Sequence, residues 1–287
     1  MKAFFNSESV AGHVCAAPFM LGFVAFFVVP MITSLYYSFC NYNIVSPPVW
    51  VGLKNFADIF KDPVFYKSLQ VTFSFAIASV PMKLLFALAV ALILIKGTRL
   101  TAFYRAVYYL PSILGSSVAV AILWKRMFSV DGLVNRVLGL RIAWIGDTRT
   151  ALWVLIILAV WQFGSSMLIF LSSMKQIPSE LYEAARVDGA GSVRAFFRIT
   201  LPMLTPTIFF NLVMQFINGL LVFAQGQIIS DGKPMNSTMF YVLHMYQQSF
   251  RFGKVGMAAA MGWILLIVVA ALTFILFKTR KRWVYDY

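Results

Sequence analysis

Six stretches of the chain are each apolar for roughly twenty residues, the length of one helical crossing of a bilayer. They run from about 16 to 37, 69 to 95, 107 to 124, 152 to 174, 204 to 223 and 257 to 277. None of the 10 acidic residues falls inside them, and Lys83 is the one strong charge that does. Hydrocarbon offers backbone N–H and C=O groups no partner, so such stretches must close their hydrogen bonds internally, as helices. The expectation is an all-α integral membrane protein with six transmembrane helices, forming a single domain over residues 1–287. An even number of crossings returns both termini to one side. The first stretch is too long for a signal-peptide core and lacks a small-x-small cleavage site, so it counts as a retained helix. Pro81 in the second predicts a kink or a tilt.

Charge composition agrees. Charged residues are 12% of the chain, against about a quarter in soluble domains. A water-facing enzyme, a disordered chain and a coiled coil are thereby excluded. The net charge of +14 would suggest nucleic acid in a soluble protein. Here the basic residues flank apolar stretches, where they anchor helix ends at anionic lipid, so no nucleic-acid partner is expected. Apart from Lys83, the 24 basic residues divide almost evenly between the two sides. The segments on the side of the termini are shorter taken together, so their basic density is higher, and four of the ten residues in the tail 278–287 are basic, a weak lean toward cytoplasmic termini. Cys15 and Cys40 are about 37 Å apart if one helix carries both, too far for a disulfide. With only His13 and His244 beside them, a structural metal site is not expected, and both histidines read as structural.

The connection 175–202 carries the most specific pattern. Ser179 can cap a short helix with Glu180 in its first turn. Ala184 and Ala185 keep the surface low enough for close approach by a partner. Gly189 permits a left-handed turn that ends the helix. Ser192 can cap a second short helix that stops before Pro202. Shape alone fits a docking knob or a plain amphipathic connector equally well.

The stretch resembles the EAA loop of permease subunits in ATP-binding-cassette importers: Glu-Ala-Ala, three residues, Gly, nine residues, then Ile-x-Leu-Pro. The matching positions are Glu183, Ala184, Ala185, Gly189, Ile199, Leu201 and Pro202. The likeness covers about 16–284 and points to the carbohydrate branch, to the larger maltose-type subunit or the glycerol-phosphate one. Pro30, residues 34–39, 51–56 and 109–111, Trp124, Gly132, Asn135 and Trp144 look like that branch. Val71, the thin loop 230–234 and Ala224 depart from it. The resemblance implies a bacterial or archaeal inner-membrane permease with both termini cytoplasmic. Its loop would sit in a cleft of the ATPase subunit, with Glu183 and Gly189 as contacts and Ala184, Ala185 and Asp188 beside them. It further implies a heterodimer with a second permease, two ATPase subunits and an extracellular or periplasmic solute-binding protein that delivers a sugar or oligosaccharide. A polyol or a glycerophosphodiester is the alternative cargo.

Along the fifth stretch and just past its end, Thr207, Asn211, Gln215, Asn218 and Gln225 recur at spacings that keep them within about 40° of Asn211 on a helix. Amides are costly against lipid and belong in the bundle interior or a wet cavity. They can line a sugar pathway or bond helix to helix. Trp161, Gln162, Ser165 and Ser166 in the fourth stretch, and Ser116 and Ser117 in the third, carry the same ambiguity. Lys83 can line the pathway, snorkel or pair with a partner.

No Gly-x-x-x-x-Gly-Lys-[Ser/Thr] loop is present. The chain therefore has no means of binding ATP and Mg itself, and hydrolysis would fall to the partners. An ion-coupled secondary transporter would need carboxylates inside the crossings, and none is there. A membrane-embedded enzyme would need a nucleophile or metal constellation, and none shows.

Overall fold

The computed structural model describes residues 8–97 and 99–285, with side chains from residue 12 onward; Lys2, Thr98 and the last two residues lie outside the described residues. Among these, five helices are long and apolar enough to cross a membrane: Gly12–Ser38, Pro63–Leu94, Ala151–Lys175, Ser192–Leu220 and Val255–Arg280. A sixth crossing exists if Thr101–Leu114 and Val118–Met127 count as one.

Where one third helix was expected over 107–124, that pair makes two. Its two halves are bent by 97°. Ser117 is extended (φ −75°, ψ 147°), and its Oγ accepts the Val120 N–H at 3.3 Å, which starts a new helix. The segment before it already carries Pro111, whose missing N–H weakens the preceding turn.

The opposite correction applies around Pro202. The second short helix of the 175–202 connection does not stop there but continues into the crossing, as Ser192–Leu220. Phe196–Thr200 forms a wide π turn, closed by the Leu201 N–H on the Phe196 carbonyl, and Pro202 follows at the start of the next α segment. The wide turn leaves the four-residue register just where the proline ring and its absent N–H would otherwise break it. The same device recurs at Val24–Val28 ahead of Pro30. Two caps also shift by one residue: Pro178 and Gly191, not Ser179 and Ser192, occupy the cap positions, and neither helix has a side-chain cap. Pro63–Leu94 passes through Pro81 without a break.

By internal contacts the chain forms two compact units. The first takes the described residues up to Asp62 together with Met245–Ile267. In it the two-residue strands Cys40–Asn41 and Val49–Trp50 pair antiparallel, Cys40 opposite Trp50. Asn55 Nδ2 donates to the carbonyls of Ser38 and Cys40, both at 2.9 Å. The Gly256 N–H donates to the Tyr42 carbonyl at 3.1 Å. A Cβ on Gly256 would strike the Cys40 carbonyl, so only glycine fits. Cys15 and Cys40 are both unbridged.

The second unit comprises Pro63–His244 and Val268–Tyr287. Pro63–Leu94 is its centre and packs against both Ala151–Lys175 and the Leu201–Leu220 part of the following helix. Small residues make up half of its buried positions: Ser68, Thr72, Ala76, Ser79, Ala87 and Ala91. In a bilayer, where lipid tails are as apolar as leucine, such faces let backbones approach and gain van der Waals contact. Gly219 meets Ala76 at this surface. Two of the unit's apolar clusters matter here, one around Phe75, Trp124, Val154 and Leu158, the other around Leu84, Met167, Phe170 and Leu204. Along both Pro63–Leu94 and Ala151–Lys175 they are separated by a polar band, and the cavity described next lies there.

Candidate functional site

The cavity is built by two interrupted helices. One interruption is the 97° bend at Gly115-Ser116-Ser117. The other lies at Gln162–Phe163, between Ala151–Trp161 and Gly164–Lys175. Each frees backbone groups at membrane depth, where they must find partners. Ser112 serves the second break with both functions of its hydroxyl: Oγ donates to the Gln162 carbonyl at 3.0 Å and accepts the Ser165 N–H at 3.0 Å. The carbonyl of Gly115 at the first break accepts from Gln162 Nε2 (3.3 Å) and Gln225 Nε2 (3.1 Å). The two breaks thus repair each other.

Between them lies a cavity of about 350 Å³, within the roughly 300–1,000 Å³ range of small-molecule sites. Lys83, Gln162, Ser165, Gln215, Asn218 and Gln225 are among its lining, and none of the lining residues is acidic. Lys83 Nζ donates to Gln215 Oε1 at 2.9 Å, and Gln215 Nε2 donates to Ser166 Oγ at 3.3 Å. Such a wall offers donors and acceptors in mixed array, the complement of a polyhydroxyl compound.

The predicted polar stripe therefore divides. Gln215 and Asn218 line the cavity, but Asn211 is buried with its amide turned onto the Thr207 carbonyl of its own helix (3.0 Å), and Thr207 Oγ1 bonds Ser173 Oγ at 2.7 Å. Gln225 reaches the cavity without the helical periodicity that pointed to it. The crossing ends at Leu220, and Gln225 sits on the separate short helix Ala224–Ile229. Trp161 is outside the lining and packs on Trp124, centroids 5.6 Å apart. Trp124 donates Nε1–H to the Val154 carbonyl at 3.0 Å. Ser116 lines the cavity, whereas Ser117 is spent as a cap. His244 is buried in Tyr241–Tyr246 and His13 is exposed in the first helix. Among the described residues, no cluster of His, Cys, Asp and Glu could hold a metal ion. Ser112, Gly115 and Gly164 were not singled out from the sequence, although the triplet Gly-Ser-Ser marks both breaks, at 115–117 and 164–166.

The loop 175–202 presents the other candidate surface. Ser179–Val187 is a helix with Glu180 in its first turn. It ends at Gly189, whose φ of +73° is the left-handed conformation foreseen for it. The N–H groups of Gly189 and Ala190 close on the carbonyls of Arg186 (3.0 Å) and Ala185 (2.8 Å). Tyr182 Oη meets Thr200 Oγ1 at 2.9 Å and ties the helix to the base of the next crossing. Beneath it a hollow of about 990 Å³ is lined by Leu92, Met174, Arg186, Phe196 and others. On the outer side Glu183, Ala184, Asp188 and Gly189 are exposed and Ala185 is half-buried. Val187 stands 89% exposed, a bare apolar side chain beside a carboxylate.

Comparison with known proteins follows the same lines. Residues 19–282 match the family described as binding-protein-dependent transport system inner membrane component. The chain is 48% identical over 288 residues to a probable ABC transporter permease protein, YesP, of Bacillus subtilis (strain 168), across 98% of this chain and 93% of that protein. It is 31% identical over 288 residues to the arabinooligosaccharides transport system permease protein AraP of the same strain, across 96% and 90%. A solved bacterial alginate ABC transporter, in complex with an alginate pentasaccharide-bound periplasmic protein, shares its fold: the TM-score is 0.81 at 21% identity, across 94% of this chain and 93% of that one. With so much of its length matched, the chain belongs to the family of inner-membrane components of binding-protein-dependent transport systems.

Proposed function

We propose that the chain is a permease subunit of an ATP-driven importer of a sugar or oligosaccharide. It forms the translocation path with a second permease and takes its energy from two ATPase subunits through the loop 175–202. Both termini and that loop face the cytoplasm. An extracellular or periplasmic solute-binding protein delivers the cargo, and ATP and Mg bind the partners. The observation that carries this reading is the cavity, walled by amides and hydroxyls at two helix breaks inside the membrane-crossing part. Broken helices at membrane depth are tolerated only where they are buried in protein or line a cavity, and transport sites are built this way. Relatives named for the transport of starch degradation products and of arabinooligosaccharides support the cargo class.

The loop supplies the coupling. Closure of the ATPase pair displaces Glu183 and its helix, and the Tyr182–Thr200 contact passes the movement to Ser192–Leu220. That helix carries Gln215 and Asn218, so the two sites share one rigid element. The test is uptake. Cells lacking only this chain lose ATP-dependent import of the oligosaccharide and regain it when the chain is restored. Undiminished uptake in its absence overturns the proposal.

A further inference from the structure

Lys83 is the one charged residue inside the apolar stretches, and it stands at the middle of the second. A lysine there usually reaches for the membrane surface or for a carboxylate. It does neither. Its Nζ lies against the neutral Gln215 Oε1, in a cavity with no acidic lining. A cation held inside the helix bundle with one amide oxygen beside it is incompletely compensated. An anionic guest would supply the missing charge.

We infer, resting on the import reading above, that the cavity selects sugars bearing a negative charge, with Lys83 as the residue that reads it. One flexible ammonium among neutral hydroxyls and amides matches a single charge. A phosphate dianion is ordinarily held by several cations or by the bidentate fork of arginine, and the cavity lining has neither. The class is therefore sugars bearing one carboxylate, oligosaccharides with a single uronic-acid residue among them. Gln162, Ser165 and Asn218 are placed to meet hydroxyls while Lys83 meets the carboxylate.

The experiment uses the complete importer in proteoliposomes with its own binding protein and three probes: an oligosaccharide with a single galacturonate residue, the same oligosaccharide with that carboxyl group reduced to an alcohol, and a hexose phosphate. Because the binding protein is common to every assay, its own preference cancels when variants are compared. Lys83→Gln lowers the acid-to-neutral uptake ratio by roughly tenfold or more, the scale of one charge-assisted hydrogen bond. Lys83→Arg keeps the ratio within a few-fold. Gln215→Glu, which places a carboxylate against Lys83, lowers the ratio as Lys83→Gln does and remains informative if the latter fails to assemble. An unchanged ratio in both Lys83→Gln and Gln215→Glu overturns the inference and leaves the import reading standing. Preferred uptake of the hexose phosphate overturns the carboxylate assignment. Uptake of none of the probes nor of any other sugar by the intact importer overturns the import reading itself.

Discussion

Both candidate sites stand where a helix stops, and both stops contain glycine, but the glycines are there for different reasons. At the loop, Gly189 has a φ of +73° and open space where a Cβ would go. It is needed for its conformation. At the cavity, Gly115 and Gly164 lie in ordinary backbone conformations, and a Cβ on either would collide: on Gly115 with the Gln162 side chain and the Pro111 carbonyl, on Gly164 with the backbone of Tyr108 and Tyr109. These are needed for space. The loop is an exposed surface shaped by a turn, whereas the cavity is a close-packed crossing of two broken helices. Damage to the first should cost function without stability, and damage to the second should cost stability first.

The largest expected effect is on the loop. Glu183→Lys reduces substrate-stimulated ATP hydrolysis and uptake to background while the amount of inserted, folded protein stays at the wild-type level, because Glu183 is exposed and the helix Ser179–Val187 has no buried residue. Transport unchanged by this charge reversal removes the loop from the coupling path. Next comes Gly164→Ala. The backbone of Tyr108 and Tyr109 cannot give way as a flexible side chain could, so the helices must separate at a cost of about 1–3 kcal/mol. Thermal unfolding of the purified complex in detergent reads it. A melting point equal to wild type would break the contrast drawn above. Ser112→Ala is smaller. It strands the Gln162 carbonyl and the Ser165 N–H, for which the penalty is about 1–3 kcal/mol when dry, but the adjoining cavity can admit water to them. A loss near 1 kcal/mol is expected by the same assay. A loss at the dry limit would show that the break is sealed from the cavity.

The contrast also explains what could be read in advance. Apolar length located the crossings because the bilayer imposes it on every helix alike, and a left-handed stop such as Gly189 follows from local chemistry between Asp188 and Ala190. The interruptions at 115–117 and 162–163 depend on partners far along the chain, Ser112 on Gln162 and Gln225 on Gly115, which no local pattern contains. Pro202 misled for the same reason in reverse: a wide turn at Phe196–Thr200 absorbs it. Periodicity placed Gln215 and Asn218 on the cavity, but put Asn211 on the same face although its amide is engaged by its own helix.

The smallest effect sharpens the comparison most, because two glycines of one loop answer differently. Gly189→Ala must hold a Cβ in the left-handed region, at about 1 kcal/mol. Gly191 has a φ of −71° and a ψ of 166°, extended backbone open to alanine, with nothing near its would-be Cβ. Gly191→Ala should therefore leave the melting point within error of wild type, and reducing the unfolded chain's freedom can even raise it slightly. The two substitutions add the same methyl group within one exposed segment, so a difference between them isolates conformation from space. If Gly191→Ala were the more damaging, the surface around it would have to be filled in the assembled importer. The glycine there would then serve close approach, as Gly164 does in the cavity, rather than a turn.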